Sequence, residues 1–283
     1  MTVLVTGAAG FIGRAVVAAL RARGHQVVPW TRADVDLGDI ARVRARLRDE
    51  RPERAIHLAW DTRPGKYLSA PDNLDLLAAG LALFRELADV GCARIVGVGT
   101  CFEYDLAFPE TDEATTPCRP ATLYGAAKLS LGITGQRFAE TVGVSFAWAR
   151  YNYLYGPNEK PERLVPAAIR AFLADGELPC TSGEQARDFM HVADCADATA
   201  AILESGAVGP INVGGGAPVS IRHLVETIHT LVGRGRPLFG VRPSNEPARF
   251  VPRLTRLFDE VGWRPSIPLE VGLRDVIARQ RTS

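Results

Sequence analysis

Short apolar runs alternate with longer amphipathic stretches over the first half of the chain. The short runs are rich in Val, Ile and Leu, which is typical of buried strands. They predict strands over residues 2–6, 26–30, 54–58, 95–99 and 144–149. The longer stretches predict helices over residues 14–23, 40–51, 73–90 and 122–142. This strand–helix rhythm predicts an α/β fold, a doubly wound parallel sheet with helices on both faces.

The first strand leads directly into a glycine-rich turn. Thr2–Thr6 is followed by Gly7, Gly10 and Gly13, and a helical pattern begins beyond them. Glycines between a strand and a helix permit a tight turn and let backbone N–H groups approach a pyrophosphate at the helix N-terminus. The GxxGxxG spacing in this context therefore predicts dinucleotide binding.

The chain contains only three lysines, Lys66, Lys128 and Lys160, among 33 basic residues. One of them, Lys128, follows Tyr124 by four residues in a predicted helix, so the two side chains are neighbours. We expect the ammonium to favour the phenolate and to lower the pKa of Tyr124 from its usual value of about 10. The pair is a candidate general acid/base.

Several motifs together resemble the extended short-chain dehydrogenase/reductase family, which includes nucleotide-sugar epimerases, dehydratases and reductases. They occur in family order over essentially the whole chain: TGAAGFIG at 6–13, IHLA at 56–59, YGAAK at 124–128, YGP at 155–157, RDFMHV at 187–192 and NVGGG at 212–216. The resemblance implies a Rossmann fold with a smaller C-terminal substrate-binding region. It implies an NADP-binding domain over 1–155 to which 190–214 returns, with 156–189 and 215–283 forming the substrate-binding region.

The resemblance also implies roles for individual residues. Thr100, Tyr124 and Lys128 match the Ser/Thr-Tyr-Lys triad that holds the reacting oxygen and moves a proton. The positions implied for cofactor binding are Gly7, Gly10, Phe11, Ile12, Gly13, Thr31, Arg32, Asp36, Leu37, Leu58, Ala59, Tyr124, Lys128 and Tyr151.

The end of the second strand bears on the choice of cofactor. Family members that use NAD tend to place an Asp there, whereas this chain has Thr31 and Arg32. A hydroxyl and a guanidinium favour the 2′-phosphate of NADP(H), which a carboxylate would repel. We therefore expect NADP(H).

Further resemblance implies a nucleotide-sugar substrate. The positions expected to bind it are Thr100, Phe102, Asn152, Arg163, Leu164 and Arg187, with Arg187 meeting the diphosphate. The 4,6-dehydratases carry an Asp-Glu pair after the Thr, where this chain has Cys101 and Phe102. Dehydration is therefore not expected. The Cys of the 3,5-epimerase/reductases lies one position later than Cys101, so we expect Cys101 to point away from the site.

The amino-acid composition narrows the expected partners and compartment but does not indicate a function. With 47% hydrophobic residues, 23% charged residues and a net charge of +1, the chain gives no electrostatic reason to expect nucleic acid or membrane partners. Five cysteines without metal spacing fit a reducing cytoplasm. The family commonly forms a homodimer through two helices, here 73–90 and 122–142.

The loop GTCFEYD at 99–105 and the segment EKPER at 159–163 resemble the 4-ketoreductases of this family. This resemblance implies an NADPH-dependent reductase of a nucleotide-linked 4-keto-6-deoxysugar, with thymidine diphosphate as the carrier. One alternative is a nucleotide-sugar 4-epimerase that retains its cofactor. The other is a non-catalytic NADP-binding sensor, against which the intact triad argues.

Overall fold

The computed structural model describes residues 1–281, and its main feature is a six-stranded sheet in the order β11-β6-β4-β3-β1-β2. Every neighbouring pair in this sheet is parallel. The strands are β1 Thr2–Thr6, β2 Gln26–Trp30, β3 Arg54–His57, β4 Arg94–Thr100, β5 Glu110–Thr111, β6 Ser145–Tyr151, β7 Tyr153–Tyr155, β8 Glu177–Pro179, β9 Ala186–Arg187, β10 Phe189–His191, β11 Gly209–Val213, β12 Val219–Ser220, β13 Arg236–Leu238 and β14 Arg249–Pro252. The predicted α/β fold class is confirmed.

Helices cover both faces of this sheet. They are α1 Phe11–Ala22, α2 Ile40–Glu50, α3 Asp72–Asp89, α4 Leu123–Val142, α5 Leu164–Leu173, α6 Val192–Glu204, α7 Ile221–Val232, α8 Thr255–Asp259 and α9 Leu269–Arg281. Val3 and Val5 of β1 pack toward α1 and α6, whereas Leu4 packs toward α2 and α3. This alternation follows from the two-residue period of a strand.

Local signals in the sequence set the ends of α4, the helix that carries Tyr124 and Lys128. The Thr122 hydroxyl accepts a hydrogen bond from the Gly125 N–H at 3.1 Å, which caps the first turn. Gly143 ends the helix in a left-handed conformation with φ 74°. The predicted helix therefore differs from the observed one only at the capping residue.

A smaller region is built from α5, α7 and α9, which share their own apolar core. Three small sheets accompany it, β7 with β10, β8 with β13, and β5, β9, β12 and β14 together. Strand β11 pairs with β6 in the large sheet, so residues 209–213 lie in the first region of the fold. The division into domains stays a prediction.

The helices predicted to form a dimer interface are α3 and α4. Some apolar residues of α3 are buried in the core and others are exposed. Phe84 and Leu87 are buried in the core, whereas Leu74 is 57% exposed. On α4, Ile133 is 55% exposed. The homodimer itself stays a prediction. Within residues 1–281, none of the helices combines the length and the apolar character needed to cross a membrane.

Candidate active site

Most of the predicted site residues lie at one edge of the large sheet, where its parallel strands end. Gly7 follows β1, Thr31 follows β2, Leu58 follows β3, Thr100 ends β4 and Asn152 follows β6. The chain order along the sheet reverses between β1 and β3, because β2 lies on one side of β1 and β3 on the other. Open α/β sheets bind ligands at such a switch point.

The glycine turn is shaped for a close approach of backbone to a ligand. Gly7 has φ +69°, and a Cβ on it would lie 2.8 Å from the Ala59 nitrogen. A Cβ on Gly13 would lie 2.1 Å from the Gly7 carbonyl oxygen. Gly10 precedes α1 and offers no side chain to cap its first turn, so the N–H groups of Phe11 and Ile12 open the helix. This arrangement fits a dinucleotide pyrophosphate at the helix N-terminus.

The end of β2 contains a carboxylate that the sequence argument missed. Asp34 accepts hydrogen bonds from the Thr31 hydroxyl at 2.7 Å and from the Thr31 N–H at 3.0 Å. These bonds lower the pKa of Asp34, and the charges of Arg46 and Arg42 act in the same direction. Within residues 1–281, no side chain forms an ion pair with Arg32, which is exposed. A carboxylate therefore lies just after the end of β2, within range of the charges of Arg46 and Arg42.

The other residues predicted to bind cofactor surround this turn. The Ala59 N–H donates to the Thr6 hydroxyl at 3.3 Å, which fixes the chain just after Leu58. The Asp36 carboxylate accepts the Gly38 N–H at 3.0 Å, and Leu37 packs against the apolar core. Tyr151 is different: its ring is buried in the core and its hydroxyl lies 2.6 Å from that of Thr199 on α6.

Thr100 and Tyr124 meet at the end of β4. The side chains of Thr100 and Tyr124 lie close together there. Burial and the neighbouring Tyr67 raise the pKa of Tyr124 well above its usual range, and the nearby Thr100 side chain only partly opposes them. The expectation that the pKa of Tyr124 is lowered by Lys128 is therefore wrong for this structure, because desolvation of the phenolate outweighs the charge effect.

Lys128 is 2% exposed, and its ammonium is held by groups other than the phenol. It donates to the Val98 carbonyl at 2.8 Å and lies 3.9 Å from the centre of the Trp60 ring. Burial lowers the pKa of Lys128 to about 7, although the charge of Glu103 raises it. Lys128 therefore loses its proton at a lower pH than an exposed lysine does.

Two aromatic residues of the loop between β3 and α3 also contact this site, and the sequence argument did not name them. The Trp60 and Tyr67 rings lie edge-on to Tyr124, with centroid distances of 6.3 Å and 4.9 Å. The Leu68 carbonyl accepts the Tyr124 N–H at 3.0 Å, so the loop is attached to the start of α4. Trp60 directly follows the IHLA motif, which is the only signal that could have indicated it.

The substrate side of the site combines Arg163 and Asn152 with this loop. The Arg163 guanidinium lies 5.2 Å from the centre of the Tyr67 ring, and Leu164 begins α5 directly after it. The Asn152 amide donates to the Val213 carbonyl at 3.3 Å. Its side-chain oxygen is buried and has no partner among residues 1–281.

Arg187, the residue predicted to meet a diphosphate, is 1% exposed and already bound. It donates to the Tyr153 hydroxyl at 3.2 Å, to the Glu246 carboxylate at 2.9 Å and to two backbone carbonyls. The Tyr153 ring in turn lies 6.4 Å from that of Phe102. Arg187 and Phe102 are therefore linked through Tyr153, and the Arg187 guanidinium is paired with the exposed Glu246 carboxylate.

Cys101 is 3% exposed and contacts Tyr104 and Phe250. Burial raises the pKa of its thiol to about 12. The expectation that Cys101 points away from the site stays a prediction. A thiol with this pKa is almost never ionised at neutral pH, so it is a poor general base.

The fold and this site define a dinucleotide-binding protein of the oxidoreductase type. The profile of the NAD dependent epimerase/dehydratase family matches residues 3–214. The chain belongs to this family, whose members include NAD(P)-dependent oxidoreductases and epimerases of nucleotide sugars.

Individual relatives carry out different reactions. The chain is 28% identical to the dTDP-glucose 4,6-dehydratase of Xanthomonas campestris pv. campestris over 98% of this chain and 92% of that relative. It is 29% identical to the dTDP-4-dehydro-6-deoxy-D-allose reductase of Streptomyces bikiniensis, over 97% of this chain and 94% of that relative. The Thermus thermophilus UDP-glucose 4-epimerase, solved in complex with NAD, superposes with a TM-score of 0.88 at 26% identity, and the match covers 100% of both chains.

Proposed function

We propose that this protein is an NADPH-dependent reductase that converts a nucleotide-linked 4-keto-6-deoxysugar, carried on thymidine diphosphate, to its 4-hydroxy sugar. The observation that supports this most directly is the proximity of the Thr100 and Tyr124 side chains, beside the buried Lys128. A ketone needs two hydroxyl donors at its oxygen and a source of one proton, and these residues supply both.

The residues of the chain divide this work. Thr100 donates a hydrogen bond that holds the ketone oxygen, and Tyr124 transfers its hydroxyl proton to that oxygen. The ammonium of Lys128 stabilises the negative charge that then develops on the Tyr124 oxygen. Trp60 and Tyr67 cover the Tyr124 ring and exclude water.

A nicotinamide cofactor supplies the hydride in this proposal. The turn at Gly7, Gly10 and Gly13 and the open first turn of α1 would hold its pyrophosphate. We propose NADP(H) because the exposed Arg32 directly follows Thr31 at the end of β2, and the charges of Arg42 and Arg46 act on Asp34 there. Arg32 in particular is exposed and would bind a 2′-phosphate.

The same geometry supports reduction rather than dehydration. Cys101 and Phe102 occupy the positions where the dehydratases carry an acid pair, and neither of them is a carboxylic acid. The next residue, Glu103, is completely buried and has both oxygens engaged by Trp148 and Arg150. An elimination of water would therefore lack its proton donor.

We assign the substrate's nucleotide and phosphates to the side of the site that holds Phe102, Asn152, Arg163, Leu164 and Arg187. The unpaired Asn152 oxygen and the Arg163 guanidinium next to Tyr67 would contact the sugar nucleotide. A diphosphate at Arg187 would replace the Glu246 carboxylate, which is exposed and free to move aside.

A 4-epimerase with a retained cofactor is the second candidate, and one observation favours it. The Asp34 carboxylate at Thr31 suits the ribose hydroxyls of NAD, the cofactor bound in the Thermus epimerase. An epimerase takes a hydride from the sugar and returns it, so it shows no net consumption of cofactor.

Turnover measurements separate these functions. Purified protein would be mixed with a panel of nucleotide-linked 4-keto-6-deoxysugars and NADPH, and the absorbance of the reduced nicotinamide followed. We expect one NADPH to be consumed for each 4-hydroxy product. Bound nicotinamide in the purified protein, with interconversion of saturated sugars and no net loss of NADPH, would establish the epimerase. Binding of cofactor without turnover of any sugar would indicate the sensor.

A further inference from the structure

Glu103 is a carboxylate buried behind the site and has no role in the steps described above. Its side chain is 0% exposed. One oxygen accepts the Thr100 N–H at 2.9 Å and the Trp148 indole N–H at 3.0 Å. The other accepts the Arg150 guanidinium at 2.7 Å. Glu103 therefore fixes the backbone of Thr100 from the side opposite the reacting groups.

Packing around Trp148 connects this carboxylate to α4. Adding a Cβ to Gly97 of β4 or Gly132 of α4 would bring it within 2.5 Å or 2.6 Å of the Trp148 ring. A Cβ on Gly99 would lie 2.2 Å from the nearer Glu103 oxygen. Trp148 thus lies in a slot between β4, which ends in Thr100, and α4, which carries Tyr124 and Lys128. Because Glu103 binds the indole, it helps to set the spacing between the two parts of the triad.

The charge of Glu103 also acts on Lys128. Burial lowers the pKa of Lys128 to about 7, and Glu103 is the carboxylate that opposes this lowering. The other groups that face Lys128 carry no negative charge at neutral pH: His57 on β3 is kept neutral by burial, which lowers its pKa to about 3, and burial raises the pKa of Tyr124. Trp60 contributes only its ring.

Arg150 holds this carboxylate in a buried ion pair. Burial would lower the pKa of Arg150, but the charge of Glu103 raises it above its usual value. The Arg150 guanidinium also donates to the Tyr104 hydroxyl at 2.9 Å, which donates to Asn212 at 2.8 Å. A buried ion pair held by several hydrogen bonds in this way keeps a fixed position.

We propose that Glu103 is the positioning residue of this site, holding Thr100 in place and supplying the negative charge that keeps Lys128 protonated. This inference rests on the proposed function, because the role of Glu103 is to position and charge residues of the proposed triad. It goes beyond that function by assigning a task to a residue that touches neither cofactor nor sugar.

The scarcity of lysine allows a direct test. Lysine labelled with ¹³C gives only three side-chain signals, from Lys66, Lys128 and Lys160, and a Lys→Arg variant of each assigns them. The pKa of Lys128 is then measured by pH titration in the wild type and in Glu103→Gln. We expect the pKa to fall by about one unit in Glu103→Gln, as when a nearby opposite charge is removed. An unchanged Lys128 pKa would overturn the proposal.

Glu86→Gln is the matched control. Glu86 is also a buried glutamate, 4% exposed, and it pairs with Arg44 at 2.7 Å on α2, away from the site. It should leave the Lys128 titration unchanged. If Glu103→Gln leaves Arg150 without a partner and does not fold, Glu103→Gln with Arg150→Met removes both buried charges. A smaller fall in the pKa of Lys128 is then expected, because loss of the Arg150 charge acts in the opposite direction.

Turnover gives the second readout. In Glu103→Gln the loss of kcat at alkaline pH should begin at lower pH, because Lys128 loses its proton sooner. Glu103→Asp keeps the charge, so its pH profile should stay near that of the wild type while kcat falls. A uniform loss of kcat in both variants with no change of pH profile would indicate a merely structural role and overturn the proposal.

The lysine titration also separates this proposal from the proposed function. If no sugar of the panel is turned over by the wild type, the reductase assignment fails. The measured pKa of Lys128 would still show whether Glu103 controls its charge.

Discussion

The two halves of the site are built in different ways. The half proposed for the dinucleotide comes from consecutive residues, Gly7 to Gly13, and consists of backbone brought close together at β1 and α1. The reaction half comes from Thr100, Tyr124 and Lys128 on two elements, with buried charges behind them. One half depends on the absence of side chains, and the other depends on particular side chains at fixed distances.

This difference predicts how each half responds to change. In the glycine turn, an added methyl group meets backbone atoms that cannot move aside, so geometry limits the choice of residue. In the reaction half, single atoms of side chains decide whether a proton can move, so a change of one hydroxyl matters more than a change of volume. The following predictions, from the largest effect to the smallest, test this contrast.

Removing the Tyr124 hydroxyl should have the largest effect. We expect Tyr124→Phe to lower kcat by roughly 10²–10⁴, because the ring stays in place while the transferable proton is lost. Cofactor affinity, measured by titration, should stay nearly constant, since the glycine turn is untouched. Near-normal turnover in this variant would show that Tyr124 is not the acid.

Cofactor choice tests the dinucleotide half. We expect NADPH to bind about ten- to a hundredfold more tightly than NADH, since one charge-assisted phosphate contact is worth roughly 1.5–3 kcal/mol. Arg32→Ala should remove most of that preference, and Arg85→Ala, an exposed arginine on α3, should not. Equal dissociation constants in the wild type, or tighter NADH, would assign the dominant role to Asp34.

The smallest effect is expected at Cys101. Cys101→Ser keeps a hydrogen-bonding group beside Thr100, and the thiol that it removes lies buried in an apolar cluster with Tyr104 and Phe250. Activity should therefore stay within about an order of magnitude. Cys180→Ser, another buried thiol in the smaller region, is the control. A collapse of activity in Cys101→Ser alone, with folding intact, would favour an epimerase.

Much of the site could be read from the sequence because its signals are local. The turn from Gly7 to Gly13 needs glycine for reasons that involve only neighbouring elements, and Tyr124 and Lys128 lie one helical turn apart. The strand and helix pattern likewise follows from periodicities of two and 3.6 residues. The family resemblance then supplied Thr100 from a distant strand.

Contacts between distant segments decided the rest. The Asp34 carboxylate binds Thr31. Tyr67, from another loop, packs against Tyr124, as does Trp60. Glu246 pairs with Arg187, which lies 59 residues earlier in the chain. The pKa of Tyr124 was wrongly expected to be lowered, because sequence spacing gives the nearest charge but not the burial that outweighs it.

The sequence by itself therefore determined the parallel sheet, the glycine turn and the Tyr124–Lys128 pair, because each is encoded by residue type at fixed short spacing. Only the tertiary structure decided the pKa of each site residue, its hydrogen-bond and ion-pair partners, and the buried residues that pack against it. The physical reason is that desolvation and pairing depend on every element packed around a side chain. Glu103 shows this most clearly: in the sequence it is one acid in a loop, and in the fold it lies between Thr100, Trp148 and Arg150.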